Sequence, residues 1–392
     1  MNDAKRRSVA AGATRRGGAS LILVGASPIP HGLAAAPTCR HSRPLNPCEH
    51  LVMKRVLRWL LRGSLILLAL LPLLAGLLAY FLYTPEPELP PLSGQLSQGT
   101  LDVAGVKRSY RSYVPKDLPP GAPLVLALHG SGEGPGQIRV ATGYAFERLA
   151  DQHGFALVYP KSFAFDWNDC SRIGDKELNG VSSDDVGFLA SLVDHLVTEL
   201  ALDPARVFAA GVSNGGSMVM RLALEQPDRY KAVAAVVANV PAPQNFQCKP
   251  AAQKATSVMI MNGSEDPLVP YAGGEINLLG LFYQGGPVIS SRASAQFFAD
   301  WAHLNGAPQT LETVVAGGVR VEHKRWSPAH TGSGKQGGRH SGEGKAEVEL
   351  VTIHGGGHGL PQPYAQRPRL LGPSPMAPNG PALIWDFFAR QH

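Results

Sequence analysis

The hexapeptide Gly211-Val212-Ser213-Asn214-Gly215-Gly216 constrains this chain more than any other stretch. An apolar run, Val207-Phe208-Ala209-Ala210, leads into it, and a stretch of helical character, Ser217 to Leu224, leaves it. Strand, Gly-x-Ser-x-Gly and helix in that order read as a nucleophile elbow, a serine on a sharp strand-to-helix turn. Such a turn brings strand and helix backbones together, and residues without a Cβ permit that approach. Ser213 is therefore expected to project its hydroxyl above a sheet. Glycine is abundant, at 44 of 392 residues, so the motif takes its meaning from the flanking strand and helix.

A catalytic acid and a histidine should follow the nucleophile in that order. Lys231 to Ala238 reads as one buried strand and Ser257 to Asn262 as the next, and directly after it comes Gly263-Ser264-Glu265-Asp266-Pro267. Asp266 is the expected acid, with Glu265 as the alternative. Asp203 and Asp228 lie in turn-like Asp-Pro and Pro-Asp contexts, and Asp300 lies in an amphipathic helix. The last strand, Ala346 to Ile353, alternates polar and apolar residues and runs into His354-Gly355-Gly356-Gly357-His358-Gly359. His358, in the glycine-flanked loop that can fold back over the sheet edge, is the expected general base, and His354 at the strand end is the alternative. A metal-pair reading of the two histidines is disfavoured, because glycines separate them and no helix face is shared as in a zincin motif. His323, His330 and His340 read as solvated hairpin or loop residues.

The buried run Pro123 to Leu128 ends in His129-Gly130-Ser131-Gly132-Glu133-Gly134. A glycine-rich loop here suits the first oxyanion donor, the second lying on the residue after the nucleophile. The backbone N–H groups of Ser131 and Asn214 are the expected pair. Neither G-x-x-x-x-G-K-[ST] nor G-x-G-x-x-G is present, which removes a phosphate loop. Ser131 lacks the strand-to-helix setting of a nucleophile.

Several motifs in register resemble one family. They are His129-Gly130, Tyr159-Pro160, Trp167-Asn168, Asp184 to Phe188, the hexapeptide itself, Glu265 to Gly274 and Gly355-Gly356-Gly357-His358. From about Leu101 to the end the chain resembles the polyhydroxybutyrate depolymerase and feruloyl esterase branch of the α/β-hydrolases. That resemblance implies an α/β fold with a mostly parallel sheet and helices on both faces. It also implies a triad of Ser213, Asp266 and His358, with no cofactor and no metal. Trp167 and Tyr271 fall in matched runs and are placed at the substrate pocket, though Trp167 also reads as a core or rim aromatic. Two departures bear on substrate preference: Gly359-Leu360-Pro361 stands where the family often has Trp-Pro, and His330 to Gly344 forms a glycine-rich insertion.

Other segments have structural readings. Ser182-Ser183-Asp184-Asp185 suits a helix N-terminus, with serine capping and the acids complementing the dipole. Leu189, Leu192, Val193, Leu196, Val197 and Leu200 mark that helix's buried face. The apolar stretch from Pro267 to Ser291 reads as a lid, a pocket wall or a packed excursion.

Charge is unevenly distributed. Residues 1–62 carry 11 Lys and Arg against 2 Asp and Glu, and the rest carry 25 against 28, so the net +6 is no nucleic-acid surface on the folded part. Gly63 to Tyr83 has no charge over 21 residues, the length of a bilayer span, and follows Lys54, Arg55, Arg58 and Arg62. The positive-inside bias then leaves the N-terminus cytoplasmic and the catalytic part outside. The expected organisation is a disordered or untranslated basic segment over 1–52, with Cys39 and Cys48 given no role. A signal anchor over 53–84, a proline-rich spacer over 85–100 and an esterase domain over 101–392 follow it. A cleaved signal peptide is the alternative to the anchor, and it would make the protein secreted.

Cys170 and Cys248 are the other two cysteines. Two thiols in an oxidising compartment usually pair, and esterases of the resembled family often tie such loops together. Two free thiols remain the alternative. The expected function is ester hydrolysis on a small or phenolic ester, with a serine peptidase of the same fold or a non-catalytic binding protein as rivals.

Overall fold

The computed structural model describes residues 47–172, 177–178, 181–182, 184–251, 254–278, 280, 282–328 and 346–391. The basic segment up to residue 46, with Cys39, and the glycine-rich insertion, with His330 and His340, lie outside the described residues. The chain divides into two units, Met1–Leu68 and Ala69–His392.

One helix, α1 (Pro47–Leu82), begins in the first unit, ahead of the Met53 boundary expected from the sequence. Proline suits a first helical position, where its missing N–H removes no hydrogen bond. Over His50–Leu82 the helix is long and apolar enough to cross a membrane, and its leucines are exposed along its length. Pro72 lies inside it, an interruption that lipid-embedded helices tolerate better than helices in water.

The second unit holds the sheet. β1 (Gln95–Val103) and β2 (Val106–Val114) form an antiparallel hairpin. β3 (Leu124–Leu128), α2 (Pro135–Ala141), α3 (Ala145–His153) and β4 (Ala156–Pro160) come next. A short hairpin, β5 (Glu177–Leu178) and β6 (Val181–Ser182), precedes α4 (Asp185–Glu199). β7 (Val207–Val212), α5 (Asn214–Glu225), β8 (Ala232–Val236) and β9 (Ser257–Gly263) then alternate. A second hairpin, β10 (Gly274–Leu278) and β11 (Phe282–Val288), leads to α6 (Ser291–Trp301). The chain closes with β12 (Gln309–Ala316), β13 (Val319–Trp326), β14 (Val348–Ile353) and α7 (Gly380–Ala389).

Among the described residues ten strands form one sheet in the order β1-β2-β4-β3-β7-β8-β9-β14-β13-β12. The six from β4 to β14 run parallel, and antiparallel pairs flank them. Every residue of β3, β4, β7, β8, β9 and β14 is buried, as a parallel sheet covered on both faces requires. Alternate strand residues serve two cores. Leu126, Ala209, Ile260 and Leu350 pack with α4, α5 and α6, whereas Val125, Phe208, Met259 and Val351 pack with α2, α3 and α7. This is the α/β-hydrolase arrangement. The parallel strands end on one edge, so the loops after β3, β7, β9 and β14 converge there.

Some local readings change. The cap of α4 is Asp184, whose carboxylate accepts the Gly187 N–H at 2.8 Å, in place of the expected serine; an aspartate adds its charge to the same hydrogen bond at the positive helix end. The buried face of α4 includes Leu189, Leu192, Val193 and Leu196, and Asp185 is buried against Arg108 at 2.5 Å. The stretch after Pro267 is a packed hairpin: Ala242 N–H donates to the Pro287 carbonyl and Ile289 N–H to that of Val240. β14 is buried throughout despite its alternating sequence, because Glu349 is engaged by His323 (2.8 Å), Arg325 and Arg390. His323 is thus half-buried and paired, not solvated. Burial alone would raise the Glu349 carboxyl; the His323 hydrogen bond, with Arg390 and Arg325, outweighs it and holds Glu349 below the ordinary value.

Candidate active site

Ser213 stands between β7 and α5 with φ 58° and ψ −123°, a conformation strained for a residue with a Cβ. The glycines around it make the turn possible. A Cβ on Gly211 would meet the Gly215 carbonyl oxygen at 2.1 Å, and one on Gly215 would meet the His129 carbonyl oxygen at 2.5 Å. The turn is fixed from both sides: Ser213 N–H donates to the Val236 carbonyl and Ser217 N–H to that of Ser213. The hydroxyl therefore faces the edge where the loops meet.

His358 reaches that edge by a folded-back loop. A Cβ on Gly263, the last residue of β9, would meet the Gly356 carbonyl oxygen at 2.2 Å, so the loop lies directly on the strand end. Ser264 N–H donates to the Ile353 carbonyl, Glu265 N–H to that of Gly356, and His358 N–H to that of Leu371. His358 Nε2 lies 2.9 Å from Ser213 Oγ, and its Nδ1 lies 2.8 Å from Asp266 Oδ2. The Asp266 side chain is 1 % exposed and that of His358 4 %. The other Asp266 oxygen accepts the N–H groups of Leu268 and Val269, both at 2.8 Å, which fixes the carboxylate's orientation.

The competing residues lie elsewhere. Glu265 is exposed, whereas Asp266 carries the contact. His354 Nε2 is buried without a hydrogen-bond partner among the described residues. Asp203 pairs with Arg206, Asp228 with Lys254, and Asp300 accepts from Gln296. Among the described residues no group of three His, Cys, Asp or Glu is placed to hold a metal ion.

The loop after β3 lies beside the serine: a Cβ on Gly130 would sit 3.5 Å from Ser213 Cβ. Ser131 follows Gly130 in this loop, and Asn214 is the first residue of α5, where N–H groups lack intrahelical acceptors. Three side chains hold this loop. His129 is fully buried; its Nδ1 donates to the Gly130 carbonyl at 2.8 Å and its Nε2 accepts the Ser162 N–H at 3.2 Å, which assigns a neutral tautomer. Burial holds this imidazole below its ordinary value, against the pull of the Gly130 carbonyl. Glu133 accepts the Gly130 N–H at 3.2 Å and pairs with Arg367 at 2.7 Å, tying this loop to the segment beyond His358. Only His129 had a sequence signal, as part of a matched motif; Glu133 and Arg367 are 234 residues apart and share no local pattern.

Trp167 changes role. Its side chain is fully buried, its Nε1 donates to the His129 carbonyl at 2.9 Å, and its ring lies 5.0 Å from that of His129. A side chain with no open face packs against the loop after β3 and offers no surface to a pocket. The Asn214 amide holds the same segment, accepting the Trp167 N–H at 2.6 Å and donating to Asp169 at 2.9 Å. Burial raises the Asp169 carboxyl, while hydrogen bonds from Ser171 and Asn214 pull it down. Tyr271, also placed at the pocket, has its hydroxyl 2.7 Å from that of Thr352 on β14. Cys170 and Cys248 form a disulfide with Cα atoms 4.8 Å apart. Beside it Gln247 N–H donates to the Cys170 carbonyl.

The family model "Esterase PHB depolymerase" matches residues 109–274. NocK of Nocardia uniformis subsp. tsuyamanensis, a presumed esterase, is 30 % identical over 302 residues, 74 % of this chain and 81 % of that one. The chain belongs to the esterase PHB depolymerase family. It is accordingly a carboxylic ester hydrolase. An acetylxylan esterase of Coprinopsis cinerea is 33 % identical over 153 residues, 38 % of this chain and 40 % of its own length. A solved acetyl xylan esterase from Aspergillus awamori covers 69 % of this chain and 96 % of its own at 17 % identity, with a TM-score of 0.47.

Proposed function

We propose that the esterase works through a covalent acyl-enzyme on Ser213. The carrying observation is the unbroken chain from Ser213 Oγ through His358 to Asp266, at 2.9 and 2.8 Å. His358 takes the serine proton as the oxygen attacks the ester carbonyl, and Asp266 holds the imidazole in its working tautomer. The Ser131 and Asn214 N–H groups stabilise the tetrahedral oxyanion. His358 then returns the proton to the leaving alcohol, and water repeats the sequence to release the acid.

The substrate is a small or phenolic ester, in keeping with the acetylxylan esterase among the relatives. The catalytic unit works outside the cytoplasm: a disulfide persists in oxidising compartments, and the uncharged part of α1 from Gly63 is an uncleaved membrane anchor that follows the basic flank Lys54 to Arg62. One experiment tests these together. Membranes from cells making the full chain are assayed with chromogenic acetyl, butyryl and feruloyl esters, hydroxybutyrate oligomers and a peptide panel. Ester turnover in the membrane fraction is expected. Turnover of peptides alone would contradict the reaction, and a soluble form beginning near Thr84 would contradict the anchor.

A further inference from the structure

The loop that carries Ser131 has two sides. One faces Ser213; the other walls a cavity of about 510 Å³ lined by Arg111, Lys161, Gln98, Gln137, Phe165 and Gly132–Gly134. Lys161 is exposed and Arg111 half-buried. Among the described residues no acceptor engages the Lys161 ammonium or the Arg111 guanidinium. Arg111 lies against the start of α2, since a Cβ on Gly136 would come within 3.3 Å of its Nη1. Glu133 is the one carboxylate lining the cavity, and both its oxygens are occupied, by the Gly130 N–H and by Arg367. The rim is apolar: Phe165 is 73 % exposed, and its carbonyl accepts the Gly132 N–H at 2.8 Å, which ties its backbone to the loop.

We propose that this cavity is a subsite for a single anionic group, a carboxylate, carried by the ester substrate. The inference rests on the hydrolase reading and deepens it. Two cations without counter-ions beside one concavity, with an aromatic edge for the intervening carbons, fit an ester whose far end is charged. The loop links the two sites: Gly132, the residue after Ser131, already lines the cavity, and Glu133 N–H turns back to the Gly130 carbonyl, so the cavity wall and the proposed oxyanion donor are neighbours in one turn.

The test uses the full chain in membranes and p-nitrophenyl monoesters of succinate, adipate and suberate, each beside the neutral acyl ester of equal length. A second series carries the carboxylate on the alcohol. The ratio of kcat/KM for charged over neutral ester is the readout. It should be about tenfold for at least one chain length in one of the two series, a size consistent with partly screened cations. Raising the salt should lower it. Arg111→Gln with Lys161→Gln should bring the ratio back to about one. Lys254→Gln, which removes one positive charge near the start of β9, should leave it as in the wild type. A ratio near one in both series at every length would overturn the subsite, as would a preference that survives in the double variant. Absence of turnover on charged and neutral esters alike would instead count against the hydrolase reading.

Discussion

Ser213 and the His358–Asp266 pair arrive at one hydrogen-bonded chain by different routes. Ser213 is placed by sterics within a few residues: β7 ends, α5 begins, and glycine backbones at 211 and 215 close to distances that no Cβ would permit. His358 and Asp266 are placed by hydrogen bonds between segments far apart in the chain, from 264–265 to 353–356 and from 358 to 371. A sterically fixed residue tolerates almost no change in its neighbours' size. A residue held by several hydrogen bonds can lose one and keep its place.

The largest effects should come from the reacting groups themselves. Ser213→Ala and His358→Ala should each lower ester turnover by about 10⁶, and Asp266→Asn by about 10⁴, with folding intact. His354→Ala should change turnover by less than about threefold, since its Nε2 has no partner to lose. Steady-state kinetics with circular dichroism decide this, and a dead His354→Ala beside an active His358→Ala would invert the assignment.

The contrast between routes is sharpened by two glycines. Gly215→Ala would push a Cβ into the Leu128 and His129 carbonyls and should destabilise by about 3 kcal/mol. Gly355 has φ 75° but open space around its Cα, so Gly355→Ala should cost about 1–2 kcal/mol from the left-handed backbone alone. Urea unfolding of both variants measures the difference, and equal losses would erase the distinction.

A smaller effect on catalysis, though not on stability, is expected at the Glu349 cluster on β14. The folded Glu349 carboxyl is held below its ordinary value, so its contribution to stability is present above about pH 4.5 and lost as pH falls through the lower folded value. Glu349→Gln should destabilise by about 3 kcal/mol at neutral pH by leaving Arg325 and Arg390 facing a neutral group. It should also flatten the acid limb of the stability curve and leave the turnover per folded molecule unchanged. An unaltered acid limb would contradict the assigned role.

The same contrast explains what could be read from the residues. Ser213, with its strand, turn and helix, was legible because its positioning is local. Asp266 and His358 were legible through their order and their place after strands, yet Glu265 and His354 stayed open, because burial decides between neighbours and burial is a tertiary property. Trp167 was placed at the pocket, and only packing under His129 reveals a strut. The alternation in β14 implied an exposed face, and paired cations distant in sequence buried it. Glu133 and Arg367 left no trace in the sequence, for nothing local joins residues 234 apart.

Fluorophosphonate labelling of the full chain, followed by mass mapping of the modified peptide, tests Ser213 as the nucleophile activated by His358 when wild type and His358→Ala are compared. One adduct is expected, on Ser213, formed with loss of ester turnover and slowed by several orders of magnitude in His358→Ala. An adduct on Ser131 or another serine, or full ester turnover by a protein labelled at Ser213, would contradict it.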